Sequence, residues 1–217
     1  MEELELRQEM VAACRRMNDI GLNQGTSGNI SARSGDKILI TPTSLPYDEM
    51  EAEDIVAMDA DGNFEGKRKP SSEWRFHHDI LTNRLDVDAV MHCHSTHATA
   101  LACHQMGIES FHYMVAVAGG NDIRCAPYAT FGTQALSDSA LEALEGRKAC
   151  LLGQHGQIAL GGTIKQAFAL AIEVETLAHM YITARQMGEP PVLSSEEMVR
   201  VMNQMKQMHY GVTRSQQ

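Results

Sequence analysis

The stretch from Val87 to His94 limits the possible folds of this chain more than any other segment. Its apolar residues predict a buried strand that ends in His92, Cys93 and His94, and a helical pattern follows from about Thr96 to Gln105. Successive side chains of a strand point to opposite faces, so the two histidines point the same way. The chain must therefore fold around a sheet that presents two imidazoles together at the end of a strand.

Helical and strand patterns are interspersed along the rest of the chain. Apolar residues at helical spacing predict helices over residues 3–21, 73–85, 133–145 and 163–187. Strands are predicted over residues 54–58, 150–152 and 158–160, with a hairpin between residues 25 and 41 that turns at Gly35-Asp36. This mixture favours an α/β layered fold over a helical bundle or a β-sandwich.

Composition limits the possible locations and partners. The 217 residues, 43% of them hydrophobic, suit one domain, which we place at residues 1–211, and the polar residues 212–217 are expected to be a disordered tail. No apolar run approaches the roughly 18 residues of a membrane span, and the N-terminus lacks the pattern of a secretory signal.

Five cysteines without a Cys-x-x-Cys pair fit the reducing cytoplasm. A net charge of -10 without a basic stripe argues against a nucleic-acid partner.

His155 is a candidate to join the two histidines of the strand. It lies between Gly153-Gln154 and Gly156 after another apolar strand, where glycine lets the backbone bring the ring toward a neighbouring strand end. With Glu73 as a fourth ligand, this set suits zinc, or cobalt and manganese as substitutes, better than calcium. The alternative is that these are ordinary histidines in a chain that has ten. The remaining seven are interpreted as surface or packing residues: His77, His78, His97, His104, His112, His179 and His209.

Small and hydroxylated residues form a second group. They occur in three segments, Gly25-Thr26-Ser27-Gly28-Asn29, Thr43-Ser44 and Ser71-Ser72. Backbone N–H groups of glycine loops, hydroxyls and a helix N-terminus after Ser72 can hold a phosphate without lysine or arginine. Turn chemistry and a helix cap explain the same residues without a ligand, and the two interpretations are compatible.

Several ordered motifs resemble the class II aldolase/adducin family. They are Gly21-Leu-Asn-Gln-Gly-Thr-Ser-Gly-Asn-Ile-Ser, Ile40-Thr-Pro-Thr, Lys69-Pro-Ser-Ser-Glu-Trp-Arg-Phe-His77, His92-Cys-His94, Cys125-Ala-Pro-Tyr-Ala-Thr-Phe-Gly132 and Gln154-His-Gly156. The resemblance extends from the first helix to about residue 211. It implies a single-domain, three-layer α/β/α fold with a central, largely antiparallel sheet.

The resemblance also implies roles for individual residues. His92, His94 and His155 would bind zinc, and Glu73 would be both a ligand and the catalytic acid/base. Six residues would bind a substrate phosphate: Gly28, Asn29, Thr43, Ser44, Ser71 and Ser72.

The resemblance places the aldehyde side of the site between subunits of a homotetramer. Tyr113 of an adjoining subunit would exchange a proton there, and Phe131 and Tyr210 would shape the pocket. Two residues depart from the family pattern, since Ser44 replaces a usual glycine and Gln154 replaces a histidine beside the ligand His155.

The activity implied by the resemblance is a zinc-dependent cleavage of a ketose 1-phosphate to dihydroxyacetone phosphate and an aldehyde. L-fuculose 1-phosphate, 5-deoxyribulose 1-phosphate and methylthioribulose 1-phosphate are all candidate substrates. The family also contains sugar-phosphate 4-epimerases, dehydratases and decarboxylases, but Glu73 favours an aldolase because the epimerase pattern has aspartate after the serine pair. A binding module like the adducin head, without catalysis, is the remaining alternative.

Overall fold

A mixed sheet of eight strands forms the centre of the protein. The structure is a computed structural model that describes residues 2–208 and Tyr210. The strands are β1 (Asn29–Ser34), β2 (Lys37–Ile40), β3 (Val56–Met58), β4 (Phe64–Glu65), β5 (Ala89–Cys93), β6 (Arg124–Ala126), β7 (Ala149–Leu152) and β8 (Gly156–Gly161). Their spatial order is β4-β3-β2-β1-β5-β8-β7-β6, and only the β6–β7 pair is parallel. The prediction of a largely antiparallel sheet is confirmed.

Helices cover both faces of this sheet. They are α1 (Glu3–Asp19), α2 (Trp74–Asn83), α3 (Thr96–Cys103), α4 (Gln134–Ala143), α5 (Ile164–Gln186) and α6 (Ser195–Gln207), with 3-10 helices at Ala52–Asp54 and Tyr113–Ala118. Alternate side chains of β5 belong to different apolar clusters. Met91 packs in the cluster that contains residues of α1, α3, α5 and α6, whereas Val90 packs with α2 and α4. The predicted three-layer fold is therefore confirmed, and His92 lies on the α2 side.

The predicted helices and the hairpin are all present, but the sequence patterns missed β4, β6 and α6. Strands of two or three residues are too short to show a period of two. Helix α6 has the start signal Ser194-Ser-Glu-Glu197, in which the Ser194 side chain accepts a hydrogen bond from the Glu197 amide. The predicted strand over residues 54–58 starts only at Val56, because a 3-10 helix precedes it. The predicted tail, residues 212–217, lies outside the described residues.

Helix α5 is an exception to the expectation that no segment of the chain resembles a membrane span. Within the described residues it is the one helix long and apolar enough to cross a bilayer, with a mean hydropathy of 1.2. Glu173 and Glu175 interrupt its apolar run, and Leu170, Val174 and Leu177 are buried in the core. A core helix of a globular domain has the same length and composition, so the absence of a membrane partner stays a prediction.

Candidate metal centre

Three histidines converge at the ends of β5 and β7. His92 is fully buried on β5, and its Nε2 atom lies 3.0 Å from Nε2 of His94, two residues further on. His155 lies in the turn between β7 and β8, and its ring centroid is 4.8 Å from that of His92 and 4.9 Å from that of His94. The predicted convergence of three imidazoles is thus present in the structure.

Glu73 completes this cluster from the N-cap position of α2. Its side chain is buried, with Oε2 3.2 Å from Nε2 of His92 and Oε1 3.1 Å from Nε2 of His155. One potential ligand atom from each of the four residues lies within 4.8 Å of the others. Strand order and helix packing therefore bring together residues that lie up to 82 positions apart in the sequence.

The electrostatic environment keeps Glu73 and His94 in the forms that bind metals. Burial raises the pKa of the Glu73 carboxyl, but His92 and His155 together lower it by more. The net result is a pKa well below the usual range. Burial, together with the neighbouring His92 and His155, lowers the pKa of His94 to about 3. At neutral pH the cluster therefore offers a carboxylate and the unprotonated His94 ring.

The hydrogen bonds around the cluster fit a divalent ion. His92 Nδ1 donates to the Gln157 carbonyl at 2.8 Å, which leaves the Nε2 lone pair directed into the cluster. Glu73 Oε1 is buried and makes no well-aligned hydrogen bond, despite its proximity to His155. Neutral imidazole nitrogens with one carboxylate are donors that zinc accepts, and cobalt and manganese also bind such sets. The residues present therefore fit the predicted kind of metal.

Two glycines let the His155 turn approach the strand ends. A Cβ atom on Gly156 would lie 2.6 Å from the Cys93 carbonyl oxygen, and one on Gly153 would lie 2.8 Å from the Ala126 carbonyl oxygen. The left-handed backbone of this turn belongs to Gln154, which has a φ of 55°. Gly153 and Gly156 are therefore needed for close packing rather than for an unusual φ. This refines the prediction that the glycines free the backbone around His155.

The start of β1 packs equally closely against β5. A Cβ atom on Gly28 would lie 2.9 Å from the carbonyl oxygen of His92 and 3.0 Å from the Asn23 side chain. Asn23 Oδ1 accepts hydrogen bonds from the His94 amide at 3.1 Å and from Ser27 Oγ at 3.2 Å. Asn23 therefore supports a metal-site histidine from the loop after α1, a role that sequence patterns did not indicate.

A cavity of about 340 Å³ lies beside the four clustered residues. All the residues predicted to bind phosphate line it, and so does Phe131. Thr26 and Ser27, from the predicted glycine-rich segment, also line it, and so do four residues that the sequence had not assigned to the site: Pro42, Tyr128, Ala129 and Gln154. Among the lining residues, all within the described part of the chain, there is no lysine or arginine. An anion here would meet hydroxyls, backbone N–H groups and the N-terminal end of α2.

Ser44 has a strained backbone at the edge of this cavity. Its φ of 58° lies in the left-handed region, where an L side chain costs about 1 kcal/mol relative to glycine. This conformation suits glycine, the residue that the resemblance predicts at this position. Its hydroxyl lies 3.4 Å from that of Thr43, so both hydroxyls are available at the same wall.

Tyr113 and Tyr210 do not line this cavity within one chain. Tyr113 begins a 3-10 helix and is half exposed. Tyr210 is also half exposed and borders a different cavity of about 760 Å³, together with Met114 and Glu173. Neither tyrosine is among the residues that line the cavity of its own chain, so a contribution to the site of a neighbouring subunit stays a prediction.

His77 is fully buried, which agrees with the packing half of its interpretation as a surface or packing residue, and both of its ring nitrogens have polar partners. Nδ1 lies 2.7 Å from Ser31 Oγ, and Nε2 lies 2.5 Å from Asn29 Oδ1. Asn29 Nδ2 in turn donates to Glu73 Oε2 at 3.0 Å. Burial, reinforced by the nearby His92, lowers the pKa of His77 to about 3. Its position four residues after Glu73, on the same face of a helix, was the signal available in the sequence.

Comparisons with known proteins agree with this fold and cluster. Residues 8–182 match the family model described as the class II aldolase and adducin N-terminal domain. The 5-methylthioribulose-1-phosphate/5-deoxyribulose-1-phosphate aldolase of Rhodospirillum rubrum is 54% identical over 203 residues, covering 94% of this chain and 92% of that protein. L-fuculose phosphate aldolase of Escherichia coli K12 is 46% identical over 207 residues, covering 95% of this chain and 96% of that protein.

A solved structure named L-fuculose 1-phosphate aldolase has the same fold, with a TM-score of 0.90 at 41% identity. The match covers 93% of this chain and 96% of that structure. Both the sequence and the structure comparisons extend over nearly the whole length of each partner. The chain therefore belongs to the class II aldolase and adducin family.

Proposed function

We propose that the protein is a metal-dependent class II aldolase, a carbon–carbon lyase that cleaves a ketose 1-phosphate to dihydroxyacetone phosphate and an aldehyde. The observation that carries this proposal is the convergence of Glu73, His92, His94 and His155 beside a cavity lined by hydroxyls. We propose zinc as the native ion, with cobalt or manganese as functional substitutes. The names of the relatives support the reaction class.

The phosphate is proposed to lie at the cavity wall away from the histidines. Thr43, Ser44 and Ser72 are exposed there, and Ser71 lies at the start of α2. These groups are neutral, so they can bind a phosphate in a chain whose net charge is -10. Asn29 lines the same cavity and contacts Glu73, which links the proposed phosphate side to the catalytic side.

Glu73, His92, His94 and His155 would hold a divalent ion, which would supply a Lewis acid for the substrate carbonyl and for the negative charge left by cleavage. The chain itself supplies the proton transfer. Glu73 is a carboxylate at neutral pH, so it can remove a proton from dihydroxyacetone phosphate in the condensation direction and return it after cleavage. Asn29 Nδ2 holds Glu73 Oε2, which limits rotation of the carboxylate during this transfer.

A lysine imine is the other general way to stabilise such a charge. The cavity lining, which falls entirely within the described residues, contains no lysine. The geometry therefore favours the metal-assisted reaction over an imine.

The aldehyde half of the substrate is proposed to be a small deoxysugar or methylthio fragment. The relatives named above act, by their names, on 5-methylthioribulose 1-phosphate, 5-deoxyribulose 1-phosphate or L-fuculose phosphate. Tyr128 and Phe131 are exposed at the cavity and supply apolar surface for such a fragment. We propose that a homotetramer in the cytoplasm adds Tyr113 and Tyr210 of neighbouring subunits to this side.

A substrate panel tests the proposal. The zinc-loaded protein is incubated with each of the three ketose 1-phosphates, and the dihydroxyacetone phosphate formed is reduced enzymatically with NADH. We expect release of dihydroxyacetone phosphate from at least one of them, and loss of that activity after chelation of the metal. Formation of an epimeric sugar phosphate, or of no product from any of the three, would overturn it.

A further inference from the structure

We infer that His77 is a positioning residue of this site, which fixes the orientation of the Asn29 amide so that its NH2 group faces Glu73. The inference rests on the proposed function, because it assigns a role to a side chain that supports the proposed acid/base. It starts from four buried side chains joined in a row: Ser31, His77, Asn29 and Glu73.

The direction of each hydrogen bond follows from Glu73. A carboxylate only accepts hydrogen bonds, so the Asn29 atom that contacts Oε2 must be the amide nitrogen. Asn29 Oδ1 then faces His77, and because an amide oxygen only accepts, His77 Nε2 must carry a proton. In a neutral ring, Nδ1 is left as an acceptor, and the hydroxyl of Ser31 donates to it.

The backbone explains why these residues meet. Asn29 and Ser31 are two apart on β1, so their side chains point to the same face of the sheet, toward α2. Glu73 and His77 are four apart at the start of α2, so they lie on one face of that helix. Asn29 is also the register partner of His92 on β5, which places its amide beside the metal cluster.

Without a donor at the position of His77 Nε2, the orientation of the Asn29 amide depends on Glu73 and on a weak hydrogen bond from Asn29 Nδ2 to the Ser27 carbonyl, 3.4 Å away. An asparagine amide can turn over by half a rotation with almost no change of shape. The turned amide would place its oxygen against the carboxylate of Glu73, which is repulsive in a buried site. His77 is therefore expected to affect proton transfer by Glu73 through Asn29, without contact with the substrate.

The first test measures the His77 tautomer and needs no activity. A proton–nitrogen correlation spectrum of the zinc-loaded protein with isotope-labelled histidine distinguishes rings protonated at Nε2 from rings protonated at Nδ1. We expect the signals lost in a His77→Gln variant to belong to an Nε2-protonated neutral ring. An Nδ1-protonated ring would overturn the inference, whether or not the protein proves to be an aldolase.

Two substitutions of similar polarity provide the second test. In His77→Gln, the amide nitrogen can reach the position of Nε2 and still donate to Asn29, whereas in His77→Asn the shorter side chain reaches only Ser31. We expect His77→Gln to keep kcat/KM within about threefold of the unmodified enzyme. We expect His77→Asn to lower kcat/KM about tenfold or more, because one misdirected buried hydrogen bond has an effect of this size. Equal losses in the two variants would contradict a specific donor role.

A double-mutant cycle separates positioning from general packing. If His77 acts through Asn29, then His77→Asn should change kcat/KM by less than about twofold once Asn29→Ala is present. Full additivity of the two effects would overturn the inference. His78→Asn is the matched control, because His78 is adjacent on α2 but contacts Asp79 and the Ala60 carbonyl instead. Its kcat/KM should be unchanged, and zinc content should be equal in all these variants.

Discussion

Glu73 Oε2 lies 3.2 Å from His92 Nε2, so the N-cap of α2 contacts the end of β5 inside the metal cluster. This contact joins the second helical layer to the centre of the sheet. Both residues are buried, and both lie within reach of His155 or His94. A site built in this way on rigid elements needs little rearrangement to bind an ion.

Removal of one imidazole should remove the metal. We expect about one zinc per chain in the unmodified protein and less than about a tenth of that in His94→Ala, because two histidines and one carboxylate leave an open and weaker ligand shell. Elemental analysis after gel filtration measures this ratio. His104→Ala is the control, since His104 is exposed at the end of α3. Equal zinc in His94→Ala and His104→Ala would show that the ion binds elsewhere.

Replacement of Glu73 by glutamine should separate proton transfer from folding. The amide fills the same space but cannot accept a proton, so we expect turnover to fall by at least about a hundredfold while the fold is retained. Exchange of a carbon-bound proton of dihydroxyacetone phosphate with solvent isolates this step, and circular dichroism checks the fold. Glu196→Gln, at the start of α6, controls for the change of charge. Unchanged exchange in Glu73→Gln would exclude Glu73 as the acid/base.

Replacement of Ser44 should report the strain of its left-handed backbone. Glycine adopts a φ of 58° without cost whereas alanine does not, so Ser44→Gly should be more stable to unfolding than Ser44→Ala by about 1 kcal/mol. Both variants lose the hydroxyl, so the comparison isolates the backbone. Urea denaturation of the zinc-free proteins measures the difference. If alanine proves as stable as glycine, the left-handed conformation at Ser44 is wrong.

The buried His77 should make stability depend on pH. Its pKa is lowered from 6.5 to about 3 in the folded protein, so between these values the unfolded chain binds a proton that the folded chain does not. Stability should therefore be fully present above about pH 6.5 and fall as the pH drops toward 3. In zinc-free His77→Gln, urea denaturation at a series of pH values should show a shallower fall. The control variant His104→Gln, changed at an exposed residue, should behave like the unmodified protein. An equal decline of stability in the unmodified protein, His77→Gln and His104→Gln would show that His77 does not cause the pH dependence.

The sequence predicted the parts of the site that depend on one element at a time. His92 and His94 were identifiable because strand side chains alternate, and the turn around His155 because its glycines are adjacent to it in the sequence. The four-residue spacing of Glu73 and His77 places both on one face of α2, but the contacts of Asn23 and His77 depend on how β1 packs against β5 and α2, which no local periodicity encodes. The same limit applies to β6, a three-residue strand that exists because β7 pairs with it in parallel.

Mixed oligomers should show whether the active site is shared between chains. Glu73, His92, His94 and His155 come from one chain, whereas Tyr113 lies outside the metal cavity of its own chain. If Tyr113 serves a neighbouring metal centre, a mixture of inactive Tyr113→Phe and inactive His94→Ala subunits contains some sites with both functions intact. We expect cleavage activity to reappear after dissociation and reassociation of these two variants. Activity is measured by release of dihydroxyacetone phosphate, and native mass spectrometry confirms mixing.

A second mixture provides the control that makes this result specific. Glu73→Gln and His94→Ala both damage the cluster built within one chain, so no combination of these two subunits can restore a complete site. Recovery in the first mixture but not in the second would identify the tyrosine as the residue contributed across the interface. Recovery in neither, despite confirmed mixing, would mean that each chain forms its site alone. In that case the half-exposed Tyr113 would have to reach the cavity by a rearrangement of its own 3-10 helix.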